Sequence, residues 1–232
     1  MKKLTITQVR TIFKRKNLRE DFCLELIRLL HLYKDTFKVN TELRRVRFLA
    51  QAVHETVINR NGTVRPRENL NYSSQGLMGI SRFFRTHKNL ALKYGRTKEH
   101  KANQKAIANL MYTDQNRSKN YKLGNRWAGD GYAFRGMFML QSTGRYNILK
   151  DIDYIKKMTG IALLDETRQP YEEAVNSYTI YIIGGMAHWH RTGMYKLRST
   201  NAITNTLNKG LPEHMKKKRL ATAVRIKRYL MA

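Results

Sequence analysis

Residues 41–56 read Thr41-Glu42-Leu43-Arg44-Arg45-Val46-Arg47-Phe48-Leu49-Ala50-Gln51-Ala52-Val53-His54-Glu55-Thr56, and this stretch decides the fold. Leu43, Val46, Ala50 and Val53 recur at helical spacing with Leu49 beside them, which predicts an amphipathic helix with one buried stripe. Thr41 stands where an N-cap belongs. Asn59, Asn61 and Gly62 are turn formers, so the helix should end between Glu55 and Ile58. Its last turn then carries a carboxylate, Glu55, where the peptide dipoles present their negative end.

Upstream, Phe22, Leu26, Leu29, Leu30 and Tyr33 predict a second amphipathic helix over about 18–34. Downstream, 59–66 reads as an irregular or β-hairpin connection, and 74–95 as one or two short helices. A helix is expected over 99–113, with Ala102, Ala106, Ile107 and Leu110 inward. Residues 114–136 are polar, aromatic and glycine-rich, and read as a long functional loop. A mostly apolar helix interrupted by Gly184 and Gly185 is expected within 170–190, and a cationic helix over 213–230. No internal repeat is visible. The fold class is therefore mainly α: one domain over 1–232, two-lobed around a cleft, with a small hairpin or irregular region. A chain of 232 residues buries about 70% of its unfolded surface and needs no covalent staples.

Cys23 is the single cysteine, so the chain holds no internal disulfide and no thiolate metal cluster. Its apolar neighbours Phe22 and Leu24 make it an inert core thiol. The opening MKKLTITQVR has two lysines but no apolar stretch of signal-peptide length behind them, and no run approaches the roughly 18 apolar residues of a membrane span. The expectation is synthesis in the cytoplasm without a conventional export signal. The formal net charge of +28 restricts macromolecular partners to polyanions: nucleic acid, anionic lipid or an acidic envelope polymer.

Against that charge, the segment between Glu42 and Glu99 keeps only Glu55 and Glu68 among twelve Lys and Arg. Two carboxylates facing one another over a cleft are the minimum equipment for acid/base cleavage of a glycosidic bond. The alternative is a pair of surface glutamates in weak ion pairs. Four islands of sequence favour the first reading. They are Phe48 to Thr56; Glu68-Asn69-Leu70-Asn71-Tyr72-Ser73 with Gly76-Leu77; Gly129-Asp130-Gly131 with Arg135-Gly136 and Leu140-Gln141-Ser142-Thr143-Gly144-Arg145-Tyr146-Asn147; and Ile203-Thr204-Asn205 with Leu207-Asn208-Lys209-Gly210. In this order and spacing, over about 45–230, the chain resembles the family 19 glycoside hydrolases, which comprise chitinases and lysozyme-like phage endolysins.

The resemblance implies a lysozyme-like α+β fold with a deep sugar-binding groove. It divides the chain into an N-terminal helical part (1–40), a catalytic core (41–212) and a basic C-terminal helix (213–232). It implies an inverting mechanism without metal or organic cofactor. Glu55 matches the general acid and Glu68 the general base of the shorter, endolysin-type members. Gln141 and Thr143 match positions that bind sugar and place the attacking water; Tyr146, Asn147 and Asn208 match substrate contacts, and Tyr72 falls in the second island as a further one. An inverting pair stands about 6.5–9.5 Å apart to admit water, a retaining pair about 5–5.5 Å. The helix end and partial burial favour a protonated Glu55, surrounding Arg favour the carboxylate, and the sign stays open. Glu68, on a loop, is expected to be wetter and ionised.

Other residues have plainer readings. His188 and His190 diverge on a helix and read as structural or groove-lining; His54 reads as orienting or packing, and Asp130 as a turn-stabilising carboxylate. Trp127, Tyr132, Phe134 and Tyr146 are candidates for sugar stacking or for the core. In the C-terminal helix Leu220, Ala223, Ile226 and Leu230 share a face that packs on the domain, while its basic residues offer a contact to an anionic membrane or envelope. Chitin is neutral and peptidoglycan anionic, so the charge selects peptidoglycan. The expectation is a monomeric phage-type endolysin that cleaves the β-1,4 bond between N-acetylmuramic acid and N-acetylglucosamine, lysing the host after release to the wall. A chitinase is the near alternative, and a basic nucleic-acid-binding protein the alternative of another class. No helix-turn-helix, zinc-finger or RNA-binding motif accompanies the charge, so nucleic acid binding is expected only as a non-specific effect.

Overall fold

Three helices lead into the larger half: α1 (Ile6–Phe13), α2 (Glu20–Leu32) and α3 (Glu42–Glu55). The computed structural model describes residues 1–231. Thr41 caps α3 as expected, its Oγ1 accepting from the Arg44 N–H at 3.2 Å. The buried face of α3 is formed by Val46, Phe48, Leu49, Ala50 and Ala52. Leu43, expected inside, is 39% exposed because the first turn projects past the core. Cys23 is buried in α2, and desolvation pushes its thiol up to about 11.

After α3 the chain turns through a minimal hairpin, β1 (Val57–Ile58) and β2 (Val64–Arg65), with Val57 opposite Arg65 and Ile58 opposite Val64. Gly62 makes the turn at φ +83°, and a Cβ there would lie 1.8 Å from the Asn17 carbonyl oxygen. The smaller half follows as α4 (Ser74–Ile80), α5 (Arg82–Thr86), α6 (Lys88–Tyr94) and α7 (Gln104–Tyr112). They enclose a separate apolar cluster of Leu70, Leu77, Phe84, Ala91, Ile107 and Ala108. The helix expected over 99–113 starts only at Gln104, because the Asn103 side chain caps it by accepting from the Ala106 N–H at 3.0 Å. The expected long loop over 114–136 is punctuated by 3₁₀ turns at Asp114–Asn116 and Lys119–Tyr121 and by the short helix α8 (Asp130–Ala133).

The chain then returns to the larger half with α9 (Arg145–Thr159), α10 (Glu172–Val175), α11 (Tyr178–Arg191), α12 (Thr200–Leu207) and α13 (Glu213–Met231). Gly184 and Gly185 do not interrupt α11, which runs through both. They admit the turn at 137–142 instead: a Cβ on Gly184 would meet the Phe138 ring at 2.2 Å, and one on Gly185 the Met139 Cβ at 2.6 Å. Trp189 and Tyr181 of α11, with Phe22, Phe48 and Phe138, are fully buried in the larger cluster. Each such ring contributes about 1.5–3 kcal/mol by leaving water.

Helix α13 lies along α3 with Ala223 and Ile226 buried. Leu220, expected on that face, is 41% exposed, and Arg219 is the buried residue in its place. The architecture is mainly α and lysozyme-like, with two apolar clusters and a two-stranded sheet. Among the described residues no helix is long and apolar enough to cross a membrane.

Candidate active site

Glu68 and Gln141 are 73 positions apart, and two isolated antiparallel bridges bring them together: Arg67 opposite Met137, and Met137 opposite Ser142. The Glu68 N–H donates to the Gly136 carbonyl at 2.8 Å, and the Gly136 N–H donates back to Glu68 Oε2 at 3.3 Å. A Cβ on Gly136 would lie 2.7 Å from Gln141 Oε1 and 3.4 Å from Glu68 Oε2, so the bare backbone of Gly136 leaves these side chains room to converge. Gln141 itself holds φ +52°, and Phe138 of the same turn holds φ +64°. Non-glycine residues in the left-handed region are strained and concentrate at functional sites.

Helix α3 supplies the facing carboxylate. Glu55 and Glu68 line one cavity of about 540 Å³ together with Tyr72, Asn69 and Gln141. An adjoining cavity of about 380 Å³ is lined by Glu55, Gln141, Thr143, Asn147, Asn208 and His188. Glu55 and Gln141 belong to both, so the two cavities meet at these side chains and form one groove. Seven of the eight residues singled out in the sequence thus converge: Glu55, Glu68, Tyr72, Gln141, Thr143, Asn147 and Asn208. Tyr146 does not. It is 60% exposed and lines neither cavity, and its hydroxyl accepts from Lys150 one turn along α9.

The electrostatics of the pair differ from the expectation in one respect. Glu68 is not the wetter carboxylate of a solvated loop. It is partly buried, and desolvation raises its affinity for a proton against the opposing pull of the Tyr112 hydroxyl, the Gly136 N–H and Arg135. The Tyr112 hydroxyl donates to both oxygens, at 2.7 and 2.8 Å to Oε1 and Oε2. Tyr112 is itself held neutral by burial and by the Glu68 charge. These bonds fix the orientation of the carboxylate.

Glu55, whose side chain is one-fifth exposed, accepts through Oε1 from Arg219 of α13. Arg219 also donates to Gln51 Oε1 at 2.9 Å, and Gln51 donates to Thr204 Oγ1 of α12 at 3.0 Å. A buried polar network therefore ties the end of α3 to α12 and α13. Beneath it, Tyr181 of α11 donates to Thr56 Oγ1 at 3.1 Å. His54 bonds Thr222 of α13 at 2.9 Å, which is a packing role.

His188 lines the groove while its Nδ1 contacts Asp151 Oδ2 at 2.9 Å; the fully buried Asp151 also accepts from Ser142 Oγ at 2.6 Å and Arg191 Nε at 2.6 Å. His190 packs elsewhere, against the Tyr154 hydroxyl at 2.8 Å. Asp130 is buried and accepts from the N–H groups of Arg126 and Trp127, both at 3.1 Å, as a turn-stabilising carboxylate should.

Arg219, Tyr112 and Asp151 were not found by sequence reasoning. Arg219 left a trace: it stands four residues before Ala223 and seven before Ile226, a cation in register with a buried stripe. Tyr112 and Asp151 left none, since their roles depend on side chains remote in sequence.

Fold and groove together define a lysozyme-like, mainly α protein with two carboxylates in one saccharide-sized cleft. Comparison with known proteins agrees. No family model matches the chain. A Haemophilus influenzae protein described as "Glycosyl hydrolase family 19 domain-containing protein" is 29% identical over 170 residues, which is 73% of this chain and 72% of that protein. This similarity supports the family 19 resemblance of the four islands.

Proposed function

We propose that the chain is an endolysin-type muramidase that cleaves the β-1,4 bond between N-acetylmuramic acid and N-acetylglucosamine by single displacement. The observation that carries this reading is the convergence of Glu55, Glu68 and Gln141 on one groove. Glu55 donates its proton to the glycosidic oxygen as the bond to the anomeric carbon breaks. Arg219 engages only Oε1, leaving the other oxygen to carry that proton, and it stabilises the carboxylate left behind. Glu68 takes a proton from a water attacking the opposite face of the sugar. Desolvation makes Glu68 a stronger base than a free carboxylate, and Tyr112 and Gly136 aim it. Gln141, Thr143 and Asn147 are placed to orient the sugar and the water. The configuration at the anomeric carbon inverts.

The charge of +28 supports an anionic wall over neutral chitin. The outward face of α13, with Leu220 and Val224 exposed beside Lys217 and Arg228, supports an additional contact with an anionic envelope surface. Carriage by a phage, release to the wall and host lysis complete the proposal.

Purified murein and colloidal chitin, assayed side by side with reducing-end analysis, test it. New N-acetylmuramic acid ends are expected, formed initially as the α-anomer. Glu55→Gln and Glu68→Gln should each lower turnover by about 10²–10⁴-fold. New N-acetylglucosamine ends from murein, or cleavage of chitin alone, overturn the bond assignment. A Glu55→Gln variant that retains lysis overturns the mechanism.

A further inference from the structure

A further large cavity lies outside the groove just described. It measures about 810 Å³ and is bounded by α5, the end of α7 and the two 3₁₀ turns that follow. Arg82, His87 and Arg117 line it, with the rings of Phe83 and Tyr121 and the amide of Asn116, and no lining residue is acidic. Among the described residues neither Arg82 nor Arg117 is paired with a carboxylate. The carboxylate within this segment, Asp114, is buried and engaged by the N–H groups of Leu123 and Gly124 at 2.6 and 3.1 Å. Arg117 is fastened instead to backbone, its Nε donating to the Tyr121 carbonyl at 2.7 Å. The cavity thus offers a guanidinium fastened to backbone, a second on the exposed Arg82, and apolar ring surface.

Tyr112 and Arg117 line this cavity and the inner part of the groove alike. The two spaces therefore adjoin at these side chains, and a branch attached to a sugar in the groove reaches the cavity by passing them. A neutral linear glycan has no use for such a side chamber. A glycan bearing acidic peptides has: carboxylates suit the guanidinium forks, and amides and aliphatic groups suit Asn116, Phe83 and Tyr121.

We propose that this cavity binds the carboxylate-bearing peptide branch of the wall glycan while the sugar chain occupies the groove. The proposal rests on the peptidoglycan reading given above and names the part of that substrate the groove does not hold.

The test uses the full-length Glu55→Gln protein, so that ligands bind without being cleaved. Two probes are titrated by calorimetry: a disaccharide-peptide released from murein, and the same disaccharide with the peptide removed by an amidase. The peptide-bearing probe should bind more tightly. Adding Arg82→Ala should weaken that probe by about fivefold, the upper end for one exposed charge contact, and leave the stripped disaccharide unchanged. Arg82→Lys should restore part of the difference. Equal affinity for the two probes, or equal effects of Arg82→Ala on both, overturns the proposal. Failure of the peptidoglycan reading itself would show separately, as an active wild-type protein that cleaves chitin and not murein.

Discussion

At the scale of single residues, the site depends on Glu68 being sheltered rather than solvated. Its proton affinity is raised in the folded protein, chiefly by burial. Between its unfolded and folded titration points the native state binds more protons than the unfolded chain, so stability falls as pH rises through that window. The contribution is fully present when Glu68 is protonated and is lost once it ionises. Glu68→Gln imitates the protonated form, and its carbonyl still accepts from Tyr112. The variant is therefore expected to melt at a higher temperature than the wild type at neutral pH while losing activity. The gap should close as pH falls below the ordinary carboxylate range. Thermal melts of both proteins across a pH series check this, and a wild type more stable than the variant at pH 7 contradicts it. The strained backbone at Gln141 belongs to the same pattern, in which a groove-lining position departs from the most stable local choice.

At the scale of elements, α13 is part of the site rather than an appendage. Its buried stripe, Arg219, Ala223 and Ile226, covers α3, and Arg219 reaches both Gln51 and Glu55. Replacing Arg219 with Met keeps the aliphatic bulk but strands the polar groups it serves. The cost should be about 3 kcal/mol, measured as a lower urea midpoint with an unchanged slope. Deleting residues 214–232 should abolish folding altogether, by circular dichroism and loss of a cooperative melt. Folded, active protein after that deletion would make α13 dispensable. The same element also shows what periodicity can miss. Leu220 fits the apolar spacing yet lies outside, because the buried Arg219 is retained for its hydrogen bonds and not for its hydropathy.

At the scale of the whole molecule, a charge of +28 acts over distances beyond any single contact. Such a field attracts polyanions and fades as the screening length falls from about 10 Å at 0.1 M salt to about 3 Å at 1 M. Activity on intact walls should therefore drop steeply between those ionic strengths, while activity on short neutral chito-oligosaccharides should change little. Parallel salt titrations on the two substrates measure this, and equal salt dependence would show that the net charge does not serve wall recognition.

Much was legible from the chain alone. The stretch 41–56 carried its own cap, its helical period and its terminal carboxylate, all of which depend on neighbours within a few residues. The four islands pointed to seven of the groove residues because the order and spacing of family-like motifs can be read in one dimension. Tyr146 matches a substrate contact of the family as Asn147 does, but on a helix consecutive side chains diverge by about 100°, and here it faces Lys150 and solvent instead. What only the tertiary structure decided were the environments: the sheltering of Glu68 by Tyr112, the pairing of Glu55 with Arg219, and the chamber beside the groove. Burial and charge pairing are set by groups far apart along the chain, and the backbone bridges that bring 67–68 against 136–142 have no local signature.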